Sequence, residues 1–102
     1  MAIYVTSDAH GHVRALDEAL SKISLTSDDT LYVLGDMIDR GPDPVGVIKL
    51  VRSLPKARVL KGNHEQIMLD AIIGQDPLDA ETWDINGGWT TREQLHDMEF
   101  EA

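Results

Sequence analysis

The sequence predicts an α/β fold with a short parallel sheet, in the order β-α-β-α-β-α. Two observations carry this prediction. Short apolar runs with the length and composition of buried strands occupy residues 2–5, 31–34 and 58–60. The segments between these runs carry apolar residues at helical spacing over about three turns each. Strands that alternate with helices in this way pair in parallel through right-handed crossovers.

The first two helices are predicted from their apolar spacing and from one capping signal. A helix over residues 13–23 follows the first strand, with its apolar side chains on one face: Val13, Leu16, Leu20 and Ile23. Asp43 before Pro44 predicts the start of the next helix, because aspartate is a good N-cap and proline suits the first helical position. That helix ends before Pro55. We expect four of its residues to face inward: Val45, Ile48, Val51 and Leu54.

The last third of the chain is predicted to contain less regular structure. A helix over residues 66–73 is apolar on nearly every side, so we expect it to be buried from more than one direction. Residues 74–84 are predicted to be a loop, with Asp76 and Pro77 as a turn. A glycine-rich turn then precedes a last short helix, which Thr90 is predicted to cap.

The composition is that of a small globular protein and argues against several classes of function. The 102 residues make one domain at most, with 42% hydrophobic and 26% charged residues. A net charge of −9 argues against nucleic-acid and anionic-membrane partners and suits a site for divalent cations. The absence of cysteine excludes disulfides and thiolate metal sites. No apolar run reaches transmembrane length and no signal-peptide pattern is present, so we expect a cytoplasmic protein.

A polar cluster follows each predicted strand directly, at residues 6–12, 35–41 and 62–65. Because the carboxyl ends of parallel strands meet at one edge of a sheet, we expect the three clusters to lie together there. In the first cluster, Asp8 and His10 point the same way if the backbone is extended. A carboxylate with an imidazole suits Mn²⁺, Fe or Zn²⁺ better than Ca²⁺. The alternative is a capping aspartate beside an exposed histidine.

The second cluster places Asp36 nearest the end of its strand, where it can bridge two ions. Asp39 is better placed to orient a neighbouring group, and Arg40 to clamp a phosphate. The alternative is an acidic surface turn that the arginine neutralises. Residues of this kind at neighbouring strand ends favour the first interpretation.

The third cluster offers Asn63 and His64. Asn63 is a candidate metal ligand, and with Gln66 three residues later it is also a capping arrangement for the next helix. Both interpretations can hold, because the backbone can start the helix while the side-chain oxygen binds a metal. His64 beside a metal pair suits the role of general acid, because imidazole exchanges protons near neutral pH. A carboxylate such as Asp39 at the other ring nitrogen would fix the tautomer.

Together these groups describe metal-assisted hydrolysis of a phosphate ester. Two ions about 3.5–4 Å apart lower the pKa of a bridging water and hold the phosphoryl oxygens. Arg40 would grip the equatorial oxygens and His64 would protonate the leaving oxygen. The sequence contains neither a P-loop nor a Gly-x-Ser-x-Gly elbow.

The three clusters resemble the motifs of the calcineurin-type metallophosphoesterase superfamily. The matching segments are Asp8-Ala9-His10-Gly11, Gly35-Asp36-x-x-Asp39-Arg40-Gly41 and Gly62-Asn63-His64-Glu65. The run Gly62 to Met68 and Trp83-x-x-Asn86-Gly87-Gly88 are most similar to bacterial and phage serine/threonine phosphatases of the phosphoprotein phosphatase branch. The resemblance covers residues 2–95 and the amino-terminal half of that family's α/β/β/α sandwich. We therefore expect residues 1–102 to form a single, apparently truncated domain.

The resemblance implies four metal ligands, of which one bridges two ions: Asp8 and His10, the bridging Asp36, and Asn63. It also implies that Arg40 binds phosphate and that His64 is the general acid, paired with Asp39. We expect two divalent ions, Mn, Fe or Zn, with a weak second site, because the family's second half supplies further ligands to that ion. The sheet that half contributes is also missing, so we expect one sheet face to be uncovered and to form homo-oligomers.

The expected activity is that of a phosphomonoesterase on phosphorylated proteins or small phosphate esters. One alternative is a catalytically inactive truncated homologue or fragment that binds a metal or a partner chain. Another is hydrolysis of dinucleoside polyphosphates, which related enzymes perform with the same three motifs.

Overall fold

Three parallel strands form one sheet in the computed structural model, which describes residues 2–74 and 76–98. The strands are β1 (Ile3–Thr6), β2 (Thr30–Val33) and β3 (Ala57–Val59), in that spatial order. Thr6 lies opposite Val33, and Val33 opposite Val59. The predicted parallel α/β fold is confirmed, and each strand begins within one residue of its predicted position.

Five helices accompany this sheet in the described residues: α1 (Val13–Ser21), α2 (Pro44–Arg52), α3 (Asn63–Ile73), α4 (Pro77–Ile85) and α5 (Trp89–Asp97). The two crossover helices, α1 and α2, pack against each other. Helix α5 packs against α2, and α4 packs against α3. None of these helices combines the length and the apolar character needed to cross a membrane.

The core lies between β2 and the two crossover helices. It consists of buried apolar side chains from both layers and from the loop after β2: Leu16, Leu31, Val33, Met37, Ile38, Val47 and Val51. Within residues 2–74 and 76–98, no helix covers the other face of the sheet, and Ile3 and Val5 are each 61% exposed there. The uncovered face expected from the sequence is therefore present.

The start of α2 is as predicted. Asp43 is the N-cap and its Oδ1 accepts a hydrogen bond from the Gly46 N–H at 2.9 Å. Of the residues predicted to face inward, Val51 is in the buried core, and Ile48 and Leu54 are partly buried and pack against it. Val45 is half-buried outside this cluster, and Val47, which was not in the predicted set, is fully buried.

Helix α3 is more exposed than its apolar sequence predicts. Ile73 is 74% exposed and Ile72 is also at the surface, because α4 is the helix that α3 packs against. The prediction of burial from several directions is wrong for the described chain.

The predicted loop at residues 74–84 is also wrong, since α4 occupies most of it. Asp76 is the N-cap of α4, and its Oδ1 accepts the Leu78 N–H at 2.9 Å. Gly88, not Thr90, precedes the first residue of α5. Thr90 lies inside that helix and is buried.

Candidate metal and phosphate site

Backbone hydrogen bonds join the loops after β1 and β2 at one edge of the sheet. The N–H of His10 donates to Asp36 O at 3.0 Å, and the N–H of Gly11 donates to Met37 O at 2.9 Å. The loop after β3 reaches the same place through His64, whose N–H donates to Asp36 Oδ1 at 2.8 Å. The three polar clusters therefore converge as the sequence predicts.

The backbone of this edge is strained. Within the described residues, positive φ outside glycine occurs at five positions, all of them in the first two clusters: Asp8, His10, Asp36, Asp39 and Arg40. Such conformations cost of order 1–3 kcal/mol each and collect at functional sites, where the surrounding structure holds them. The backbone at Asp8 and His10 is left-handed and not extended, with φ angles of 57° and 41°.

Asp8, His10 and Asp36 form a donor set for a metal ion. One ligand atom from each lies within 4.8 Å of the others. The His10 Nδ1 donates to the Ile38 carbonyl at 2.8 Å, which fixes the tautomer and leaves Nε2 for a metal. The Ser7 hydroxyl donates to Asp8 Oδ2 at 2.8 Å and, with the nearby His10, lowers the pKa of Asp8 below its ordinary value of 3.8. Two carboxylates and one imidazole fit Mn²⁺, Fe or Zn²⁺.

Glu65 ties the loop after β3 to Asp36. Its Oε1 accepts the N–H groups of Asp36 at 2.6 Å and Gly62 at 2.9 Å, and its Oε2 accepts the Met37 N–H at 3.0 Å. A Cβ on Gly62 would lie 2.6 Å from Asp36 Oδ1, so this close approach requires glycine. Sequence reasoning gave Glu65 no role, although a glutamate three residues after a helix N-cap is a capping signal.

Asn63 is the exposed first residue of α3. The N-cap is Gly62, so the predicted cap formed by Asn63 and Gln66 is wrong. The Gln66 side chain donates instead to Asp70 Oδ1 at 2.8 Å. Asn63 directly follows Gly62, whose backbone lies close to Asp36.

His64 and Asp39 form a buried pair beside the metal donors. Nδ1 of His64 lies 2.8 Å from Asp39 Oδ2. The rings of His64 and His10 meet edge to face, with centroids 4.6 Å apart. Asp39 is 0% exposed and also accepts hydrogen bonds from Trp83 and Thr91. The sequence indicates Trp83 only as part of a family motif, and it predicts no role in the site for either residue.

Arg40 is exposed at the rim and is held by the turn between α4 and α5. Its N–H donates to Gly87 O at 2.9 Å and its Nε to Asn86 O at 3.3 Å. Gly87 has φ +88°, and a Cβ there would lie 2.7 Å from Arg40 Cγ. No other part of the described chain accepts a hydrogen bond from the guanidinium, so its Nη groups are available to an anion.

A strand-edge cluster of carboxylates and imidazole, with a histidine–carboxylate pair and an arginine beside it, is typical of metal-dependent phosphoesterases. The family model for calcineurin-like phosphoesterases matches residues 1–99, and the chain belongs to that family. Members of this family use divalent metal ions, which agrees with the donor set of Asp8, His10 and Asp36.

Two curated relatives illustrate the range of this family. The chain is 38% identical over 92 residues to serine/threonine-protein phosphatase 1 of Salmonella typhimurium, which covers 88% of this chain and 41% of that protein. It is 38% identical over 76 residues to the symmetrical bis(5'-nucleosyl)-tetraphosphatase of Pectobacterium carotovorum, with 72% of this chain and 27% of that protein covered.

A solved structure is similar as well. The crystal structure of a protein provisionally assigned as a diadenosine tetraphosphatase is 33% identical and superposes with a TM-score of 0.57. The match covers 76% of this chain and 36% of that one. The chain thus spans well under half the length of each of these relatives.

Proposed function

We propose that this chain forms the amino-terminal part of a single metallophosphoesterase domain and hydrolyses phosphomonoesters in the manner of a serine/threonine protein phosphatase. One observation carries the proposal. The donor set of Asp8, His10 and Asp36, within 4.8 Å, lies against the His64–Asp39 pair, because the His10 and His64 rings are in contact. A metal site and a proton donor are thus adjacent, as phosphoester hydrolysis requires.

The metal ligands in this proposal are Asp8 and His10 for the first ion, Asp36 for both ions, and Asn63 for the second. Bound there, Mn, Fe or Zn ions would supply a water of lowered pKa and positive charge for the phosphoryl oxygens. Asp36 is held for this role by the N–H of His64 and by the backbone contacts of Glu65. We expect the second site to be weak, since Asp36 and Asn63 are its ligands from this chain.

The remaining steps belong to side chains of this chain. Arg40 binds the phosphate through its Nη groups, which a planar guanidinium does with two parallel hydrogen bonds. His64 transfers a proton from Nε2 to the leaving oxygen, because Nδ1 is engaged with Asp39. Asp39 orients the ring and stabilises the charged imidazolium.

Phosphatase activity is favoured over hydrolysis of dinucleoside polyphosphates because the similarity to the phosphatase covers more of this chain. The similarity to the Salmonella phosphatase covers 88% of this chain, against 72% for the Pectobacterium tetraphosphatase. The substrate class proposed is therefore a phosphorylated protein or a small phosphate ester. Hydrolysis of dinucleoside polyphosphates is the second candidate, carried by the 38% identity to that tetraphosphatase.

The test combines turnover with metal counting. The purified chain is loaded with Mn²⁺ and assayed with p-nitrophenyl phosphate, a phosphoserine peptide and diadenosine tetraphosphate, and bound metal is measured per chain. We expect turnover of the first two substrates, loss of activity with a chelator, and a fall of about 10²–10⁴-fold in kcat for His64→Ala.

His96→Ala is the matched control, because His96 is an exposed histidine of α5 and its loss should leave kcat unchanged. Faster cleavage of the dinucleotide than of the phosphopeptide would select the second candidate. Metal binding without turnover of any substrate would favour the alternative of an inactive homologue that binds a metal or a partner chain.

A further inference from the structure

The carboxylate of Asp39 is held by a cradle of three side-chain donors. Thr91 Oγ1 lies 2.7 Å from Oδ1, and Trp83 Nε1 lies 3.0 Å from Oδ1 and 3.1 Å from Oδ2. His64 Nδ1 lies 2.8 Å from Oδ2. Trp83 comes from α4 and Thr91 from α5, so two helices outside the sheet converge on one carboxylate.

Thr91 also holds the backbone of Asp39. The Asp39 N–H donates to Thr91 Oγ1 at 2.9 Å, and Asp39 has a φ of 72°. A left-handed aspartate is unfavourable unless its surroundings stabilise it. The hydroxyl of Thr91 therefore fixes both the strained backbone and one carboxylate oxygen of the same residue.

These contacts determine which ring nitrogen of His64 carries the hydrogen. The indole N–H is a donor only, so the Asp39 oxygens facing Trp83 must act as acceptors. With both oxygens oriented by Trp83 and Thr91, the lone pair on Oδ2 that faces His64 accepts from Nδ1. If either donor were lost, the buried carboxylate could rotate about χ2 and His64 would lose its fixed partner.

We propose that Trp83 and Thr91 are positioning residues that lock Asp39. They thereby hold neutral His64 in the tautomer with hydrogen on Nδ1, so that the second proton, which the ring takes up at Nε2, is the one it gives to the leaving oxygen. The catalytic part of this inference rests on the proposed function, since it takes His64 as the proton donor. The tautomer itself is a property of the chain without metal or substrate. The same α4–α5 segment holds Arg40 through Asn86 and Gly87.

The first measurement is ¹⁵N NMR of the chain labelled with ¹⁵N at histidine and tryptophan. The His64→Ala variant identifies the signals of His64. In the wild type we expect His64 with hydrogen on Nδ1 and a Trp83 indole N–H that exchanges with solvent far more slowly than that of Trp89, which is 51% exposed. A wild-type His64 with hydrogen on Nε2 in place of Nδ1 would overturn the proposal without any variant.

The variants separate hydrogen bonding from packing. Trp83→Phe keeps an aromatic ring and removes the donor, Thr91→Val keeps the shape and removes the hydroxyl, and Thr91→Ser restores it. We expect the first two to mix the tautomers of His64 and to lower kcat about ten- to hundredfold with KM changed less than about twofold. Thr91→Ser should recover the wild-type spectrum and rate, and Trp89→Phe should match the wild type throughout.

The outcomes distinguish this inference from the proposed function. If Trp83→Phe and Thr91→Val mix the tautomers of His64 and the wild type shows no turnover, the positioning role is supported and the proposed activity is contradicted. Folded variants that keep the wild-type tautomer would overturn the positioning role, whatever the activity. If either variant unfolds, the wild-type spectrum and the comparison of Thr91→Ser with wild type decide the question.

Discussion

At the scale of single residues, Arg40 gives the most direct test of phosphate binding. Its Nε is engaged with Asn86 O at 3.3 Å, which leaves the Nη pair to grip an anion in a fixed plane. Hydrogen bonds to charged groups contribute about 1.5–3 kcal/mol each. Arg40→Lys should therefore weaken binding of inorganic phosphate about tenfold and Arg40→Ala about a hundredfold, measured by calorimetry on the metal-loaded chain. Arg14→Lys, an exposed change in α1, should leave phosphate affinity unchanged, and equal affinity for Arg40→Lys and wild type would contradict the bidentate contact.

The convergence of these residues could be predicted at this scale, whereas their conformations could not. Asp39 and His64 stand out because carboxylate and imidazole follow neighbouring strands, and the predicted contact between them is present at 2.8 Å. Trp83 and Thr91 lie 44 and 52 residues from Asp39 in the chain. No local pattern joins residues at such separations, so their contacts emerge only from the packing of α4 and α5. The left-handed backbone at Asp8 and His10 is likewise set by contacts with the neighbouring loop.

At the scale of elements, Asp29 joins the start of β1 to the loop before β2. Its Oδ2 accepts the Thr26 N–H at 2.9 Å and its Oδ1 accepts the Ala2 N–H at 2.8 Å. These two hydrogen bonds lower the pKa of Asp29 below its ordinary value of 3.8. A carboxyl whose pKa is lowered by folding stabilises the fold above its unfolded pKa, and this stabilisation is lost as pH falls through the folded pKa. Asp29→Asn should therefore unfold more easily than wild type at neutral pH, and the difference should shrink as the pH falls below 3.8.

Chemical denaturation at a series of pH values measures that difference. Asp28→Asn is the matched control, since Asp28 is the exposed neighbour in the same loop, and we expect it to follow the wild type at every pH. A difference between Asp29→Asn and wild type that stays constant down to pH 2 would contradict the linkage.

The helices show where local signals are sufficient. Asp43-Pro44 and Asp76-Pro77 are the same arrangement of N-cap and first helical residue, and both begin helices. An apolar stripe follows the first pair, so a helix is predicted there. The second pair is also typical of a turn, and of the large apolar residues that follow it, Leu78, Trp83 and Ile85, only Trp83 is buried. The capping signal alone was the better guide.

At the scale of the whole molecule, the bare sheet face explains both the success and the limit of the fold prediction. The alternation of strands and helices predicts a parallel sheet with right-handed crossovers, and that much follows from the sequence. Both crossover helices lie on one side because the strands follow the spatial order β1-β2-β3, which the alternation alone does not determine. Chain order cannot say what covers the other face. Large apolar side chains at or next to the strands are exposed there: Ile3, Val5, Leu34 and Leu60. Exposed apolar patches of this kind mark interaction sites.

The homo-oligomer expected from the sequence would place a second copy of this chain on this face, in a two-fold arrangement that pairs the patch with itself. The residues aligned across the face, Val5, Tyr32 and Arg58, include no carboxylate. The chain as a whole carries a net charge of −9, so two copies repel each other and salt should screen that repulsion.

We therefore expect sedimentation equilibrium to show dimers, with a dimer fraction that rises with protein concentration and with added salt. Val5→Lys should raise the dimer dissociation constant by at least about tenfold, because it places a charge within the apolar patch. Ala15→Lys adds the same charge to the exposed surface of α1 and should leave the constant unchanged. A wild type that is monomeric at every concentration, or an equal effect of the two substitutions, would contradict the dimer.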